Sequence, residues 1–259
     1  MLKVTATNKK NQSIQITQST SYQLVAITGI DPPVASMAMS ELATDDGSEI
    51  NNVKLPNRNI VLTIQPLGTI ESTRTALYPY FMPKEYVKLA IKTGNRDVVI
   101  EGRVESFTVD YNANPQLIQI SVICPKPYFK YKNSVETALT VGGSTTVNNL
   151  GDVAVGAVYE IDITGSVSSI VLGNSTTSDY MTLSDLELVS GDKVFITTTV
   201  GAKKIELLHN GGYSSLLSYL DLSNSKWLKL VAGNNLISVS VTSSRATAKV
   251  TYTPLYAGI

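Results

Sequence analysis

The chain has 259 residues, with 21 basic and 21 acidic side chains, one His and one Cys; hydrophobic residues make up 43% and charged ones only 16%. Solvation therefore falls largely to 27 Ser, 27 Thr and 17 Asn. One Cys excludes an intrachain disulfide and a cysteine-clustered zinc, one His excludes sites built on two or three imidazoles, and zero net charge leaves no nucleic-acid footprint.

The Met1-Leu2-Lys3-Val4-Thr5 start lacks the charged-then-apolar layout of a signal peptide, and no stretch reaches the ~18–20 apolar residues of a membrane span. The reading is of a chain made and folded in the cytoplasm, without membrane insertion. The length suits two domains. Periodicity along the chain is two rather than 3.6, which predicts strands. Residues 40–59 are polar, with turn signals at Asp45-Asp46-Gly47 and Asn51-Asn52. An excursion of that length is expected to be a functional arm or disordered. Ile60–Ile64 is a β-branched run closed by Gln65-Pro66.

One segment predicts a helix, Ile70 to Tyr80. Thr69 is placed to cap it, Glu71 lies in its first turn, and Ile70, Arg74, Leu77, Tyr78 and Phe81 recur at helical spacing. Pro79 should end or distort its last turn. Val87–Ile91 and Arg96–Ile100 flank a Thr93-Gly94-Asn95 turn. Residues 101–109 and 118–122 read as a long antiparallel hairpin across the turn-rich Asp110–Pro115. Cys124–Lys132, with two prolines and three aromatics, suggests a semi-rigid linker.

Beyond residue 137 come short strands punctuated by Gly, Ser, Asn and Asp: 158–163, 168–172, 194–199, 203–208, 236–241 and 247–253. This spacing without helices predicts a β-sandwich. Leu216–Leu222 is a weak candidate for a second short helix.

Chemistry-bearing residues are few. His209 and Asn210, with the single Trp227, are the candidate sugar site: polar groups bond hydroxyls while an indole covers a ring face. The competing reading makes His209 a loop residue before Gly211-Gly212 and Trp227 a core anchor. A galectin shows His-Asn-Pro-Arg and Trp-Gly-x-Glu; here His209-Asn210-Gly211-Gly212 and Trp227-Leu228-Lys229-Leu230 lack that Arg and Glu. Cys124, after an apolar run, reads as a buried structural thiol. Gly142-Gly143-Ser144 lacks the Lys of a phosphate loop, and Asp45-Asp46-Gly47 lacks the ligand spacing of an EF-hand. The acids mostly alternate with Lys or Arg on strand faces or sit in turns. No enzyme, metal site or cofactor is expected.

The whole chain resembles a known family, the Dit-type distal tail proteins of long-tailed, non-contractile bacteriophages. The first half carries Asp46-Gly47, Arg58–Leu62, the helix with Arg74, Arg96–Gly102, and Ile120–Phe129 with its Cys124-Pro125-Lys126-Pro127-Tyr128-Phe129 close. The second carries Gly191–Ile196, Tyr219–Leu222 and Trp227–Asn235. Where the family shows Ile-Asp-Thr, this chain has Ile196-Thr197-Thr198.

The resemblance implies a mainly β protein. Residues 1–132 would form a belt domain with one helix and residues 133–259 a galectin-like β-sandwich. It implies a hexameric ring at the virion tail tip, assembled in the host bacterial cytoplasm. The ring would join the tail tube to a tail-associated lysin or fibre protein, with receptor-binding proteins as further partners and DNA passing through. Asp46, Gly47, Arg58 and Asn59 are the expected subunit-interface residues. The alternative function is a carbohydrate-binding adhesion module using the second domain, and a wall hydrolase ranks last.

Overall fold

The computed structural model describes residues 2–18, 21–42 and 44–259. Met1, at the head of the N-terminal reading, and Ala43, inside the polar excursion, lie outside them. The chain divides into two compact units, Met1–Lys132 with Tyr256–Ile259, and Asn133–Leu255. The last four residues, grouped with the second domain on sequence, thus belong to the first unit.

Unit 1 contains β1 (Lys3–Asn8), β2 (Ser13–Thr17), β3 (Tyr22–Thr28), β4 (Ser36–Glu41), β5 (Ser48–Lys54), β6 (Arg58–Pro66), α1 (Ile70–Phe81), β7 (Tyr86–Lys92), β8 (Asp97–Asp110), β9 (Leu117–Cys124) and β10 (Phe129–Tyr131). Seven strands run in the order β8-β7-β1-β2-β3-β6-β9, and β9 pairs back onto β8, so the sheet closes into a barrel. Strict alternation fills it. Val87, Leu89 and Ile91 of β7, Val98, Ile100 and Val104 of β8, and Ile118, Ile120 and Val122 of β9 are all buried. Closure removes most sheet edges, the usual liability of an all-β domain.

The predicted helix runs one residue further than expected. Thr69 Oγ1 accepts from the Ser72 amide at 3.4 Å, and Thr73, Leu77 and Phe81 form the buried stripe. Pro79 does not end it. Proline lacks the N–H that would bond Thr75, and near the last turn that loss is small. Asn8 Nδ2 donates to the Pro79 carbonyl at 3.0 Å and so satisfies one terminal acceptor. The Thr93–Asn95 turn forms as read, with Thr93 Oγ1 accepting from the amides of Asn95 and Arg96. At the tip of the β8–β9 hairpin, Asp110 Oδ1 accepts from the Asn112 and Ala113 amides. The linker reading at 124–132 is corrected: Phe129–Tyr131 is a strand paired to β8, and Phe129 is wholly buried.

Unit 2 contains β11 (Val135–Leu139), β12 (Gly143–Asn149), β13 (Ala157–Ile163), β14 (Ile170–Asn174), β15 (Asp179–Leu183), β16 (Lys193–Thr197), β17 (Lys204–His209), β18 (Gly212–Ser215), β19 (Gly233–Val241) and β20 (Ala246–Tyr252). A six-stranded sheet, β11-β20-β13-β16-β17-β18, and a four-stranded sheet, β12-β19-β14-β15, make the sandwich. Tyr159, Ile161, Ile170, Leu172, Val194, Ile196, Leu228 and Leu230 contribute to its core. The suggested helix at Leu216–Leu222 is only a 3-10 turn, Leu217–Tyr219. The last strand, β21 (Leu255–Tyr256), lies beside β10 in the sheet of unit 1.

Tyr159 is fully buried and its hydroxyl finds no hydrogen-bond partner; burial raises its pKa. Tyr159→Phe is therefore expected to leave stability unchanged or raise it by up to about 1 kcal/mol, by removing an unsatisfied buried group. A loss of 2 kcal/mol in urea unfolding would refute this.

Candidate assembly surface

β4 and β5 pair only with each other, as a separate two-stranded ribbon. All thirteen of their residues are exposed, although four are large and apolar. In register, Met37 faces Val53 and Met39 faces Ile50, with a shift between Ala38 and Met39. That bulge decides the chemistry. Val53 and Ile50 are three apart and would otherwise point to opposite faces, but the extra residue, Asn51, returns Ile50 to the side of Val53. Met37, Met39, Ile50 and Val53 thus share one face, each 52–62% exposed. Glu41 continues that face towards the tip, where Asp45, Asp46 and Gly47 make the turn and Gly47 adopts φ +114°. The Gly47 carbonyl accepts from the Leu42 amide at 3.3 Å.

Arg58 lies at the start of β6 and is only 4% exposed. Its Nε donates to the Pro127 carbonyl at 2.7 Å, Nη1 to Gly29 and Asp31 at 2.5 and 2.7 Å, and Nη2 to Ala257 at 2.6 Å. The guanidinium also lies over the Phe129 ring, 4.5 Å from its centroid. Burial lowers its pKa, against the opposing effects of Cys124 and Asp31. Expected on sequence as an interface residue, Arg58 has its donors engaged within its own chain. Asn59 is exposed and accepts from Ser121 Oγ at 2.9 Å; the same hydroxyl contacts Glu105 Oε2 at 2.7 Å.

The C-terminus completes this cluster. Arg96 Nη1 donates to the Gly258 carbonyl, Arg96 stacks on the Tyr256 ring at 4.4 Å, and the Ile259 amide donates to Ile30 at 3.1 Å. Two quoted motifs also meet here. A Cβ at Gly102 would lie 2.5 Å from the Ile123 carbonyl oxygen and 2.9 Å from Cys124 Sγ, so position 102 must be glycine for the Cys124-Pro125 strand end to pack. Sequence reasoning missed the tail, since nothing in Ala257-Gly258-Ile259 signals a return to the first unit.

Cys124 is buried as read, and burial pushes its thiol up to about 12 from 9.0, outweighing the nearby Arg58. The native thiol is expected to resist Ellman's reagent at pH 8. Because the folded state retains this proton where the unfolded thiol loses it, stability is expected to fall as pH rises from about 9 towards 12. Labelling at pH 8 as fast as in urea would contradict this.

In unit 2, His209 Nδ1 lies 2.6 Å from Oδ1 of the buried Asp192, and Asn210 Nδ2 2.8 Å from His209 Nε2. Trp227 is partly buried against the sandwich core, with Lys203 Nζ 5.3 Å from its ring centroid. Lys203 immediately precedes β17 and His209 is its last residue. The named side-chain contacts of His209 and Asn210 are thus with Asp192 and with each other, and that of Trp227 is with Lys203. Among the described residues no three His, Cys, Asp or Glu side chains cluster to hold a metal, and no helix is long and apolar enough to cross a membrane.

Residues 150–256 match the family described as siphovirus-type tail component, C-terminal domain (SPP1_Dit). Among solved structures the chain is similar to the SPP1 Dit (gp 19.1) protein, described as a paradigm of the hub adsorption apparatus in phages infecting Gram-positive bacteria. The two share 15% identity over 97% of this chain and 98% of that one, with a TM-score of 0.73. It is also similar to a chain of the phage P2 baseplate in its activated conformation with Ca, at 7% identity, full coverage of both chains and a TM-score of 0.49. Among curated proteins no sequence matches it.

The second unit thus carries the C-terminal domain of a siphovirus-type tail component. Over its whole length the chain has the mainly β fold of the SPP1 Dit protein.

Proposed function

We propose that the protein is the hub of a long-tailed phage tail tip. In this reading six copies close a ring that joins the tail tube to the lysin or fibre protein beneath it, and receptor-binding proteins dock at its rim. The single observation that carries the reading is the β4–β5 ribbon. A ring needs two different surfaces on each subunit to meet and close by rotation. A free-standing ribbon that exposes Met37, Met39, Ile50 and Val53 on one face is stabilised when another chain covers it. The neutral, hydroxyl-rich composition suits a channel that passes DNA without holding it, and low charge suits surfaces that become buried. The function needs no catalysis, and the chain acts at the virion tail tip after assembly in the host cytoplasm.

Native mass tests the reading. Six copies of 27.9 kDa give about 167 kDa by light scattering. A 27.9 kDa species at every concentration up to the solubility limit would remove self-assembly from the function.

A further inference from the structure

The ribbon has an acidic end. Segment 36–54 carries Glu41, Asp45, Asp46 and Glu49 against Lys54 alone. The rest of residues 1–132 holds 13 basic and 7 acidic side chains, so arm and body of one unit have opposite sign.

Four of these basic residues lie on one outer face of β1, β7, β8 and β10. With Val4, Leu89 and Val98 turned inward, the alternate positions Lys3, Thr5, Lys88, Ala90, Lys92, Val99 and Lys130 face outward. Register aligns them into rows: Lys3 opposite Lys92, Thr5 opposite Ala90 opposite Val99, and Val99 opposite Lys130. Two lysines directly opposite each other on one sheet face repel. At the margin of this face a cleft is lined by Val99, Glu101, Pro125, Lys126, Tyr128 and Lys130. The face also carries two acids, Glu101 opposite Lys88 and Asp97 opposite Lys92, and Asp97 lies 3.9 Å from Lys132 as well, so the lysines outnumber the acids without all being unanswered. The face is therefore a basic rim around a strip of small residues, Thr5, Ala90 and Val99.

We propose that this face is the receptor for the acidic β4–β5 arm of a second copy. The apolar side of the arm covers the small-residue strip, and Glu41, Asp45 and Asp46 answer Lys3, Lys88 and Lys92. The pairing adds acids beside the Lys3–Lys92 pair, covers the exposed methionines and joins two different surfaces. It rests on the ring reading and deepens it by naming both halves of the contact.

The test uses the full chain. Wild-type protein is expected to assemble at low salt and to dissociate as salt screens the contact. Asp45→Lys with Asp46→Lys, and separately Lys3→Glu with Lys92→Glu, should each raise the dissociation midpoint by about tenfold or more. The fourfold swap should return it to within about threefold of wild type. All four side chains are exposed, so thermal unfolding should not move in the variants. Independently, chains bearing Asp46→Cys and chains bearing Lys92→Cys, mixed and oxidised, should cross-link to each other, while buried Cys124 stays silent. Assembly with no rescue by the swap and no mixed cross-link overturns this contact and leaves the ring reading intact. No assembly at any salt and no cross-link overturns both.

Discussion

Deleting Tyr256–Ile259 from the full chain is expected to destabilise unit 1 by about 3–6 kcal/mol in urea unfolding. Tyr256 is only 7% exposed in the core of the first unit, and its burial alone is worth about 1.5–3 kcal/mol. The deletion also takes the Ala257 and Gly258 carbonyls from two guanidinium groups, and hydrogen bonds to charged donors contribute about 1.5–3 kcal/mol each. Arg58 is the more sensitive of the two. Four carbonyls satisfy it in a buried site, and it cannot escape by losing its proton, as a buried Lys can. Arg58→Ala should therefore cost a similar amount, and the combined variant should fall short of the sum, because both changes break the same contact. A loss below 1 kcal/mol for the deletion would show that the tail rests on the surface without supporting it.

Asn235→Ala should cost about 3–5 kcal/mol in the second unit, more than an average core truncation of equal size. Asn235 is fully buried. Its Nδ2 donates to the Val231 and Gly233 carbonyls at 2.8 and 2.9 Å, while Oδ1 accepts from the Val231 amide at 2.9 Å and from Asn174 Nδ2 at 3.1 Å. Asn174, also fully buried, reaches the Lys229 carbonyl at 2.8 Å. One amide side chain thus closes the loop between Leu230 and β19 and ties it to β14. Alanine would orphan several buried groups at once. A far milder loss, or an equally stable Asn235→Leu, would mean that water reaches the loop.

This network explains how much of the fold was legible from sequence. The Trp227–Asn235 motif was legible through the family resemblance, and in the structure its Asn235 acts within a few residues, on Val231 and Gly233. Thr69 before α1 and Thr93 in its turn were readable directly, since each bonds amides two or three residues away. Contacts distant in sequence left no such trace. Arg58 reaches Ala257 across 199 positions, and its residue type fits a buried clamp as well as an interface. The excursion at 40–59 was readable as polar, but its apolar face depends on a bulge and begins at Met37, before the polar composition does. His209 and Trp227 were paired on residue type alone; His209 contacts Asp192 and Asn210, and Trp227 contacts Lys203. The sandwich strands were visible as runs, whereas exposed β18 carries the weak pattern of an edge.

The chain leaves the first unit after β10 and re-enters it at β21, and these two strands are neighbours in one sheet. Entry and exit therefore lie about one strand spacing, 5 Å, apart. In topological terms the 123 residues from Asn133 to Leu255 are a guest spliced into a host barrel, rather than a domain appended to its end. Any module whose own termini lie that close can take the guest's place while Tyr256 and Ala257 still reach their pockets. The position is thus a natural graft site, at which a lineage can exchange its second module while the barrel and the ribbon stay unchanged.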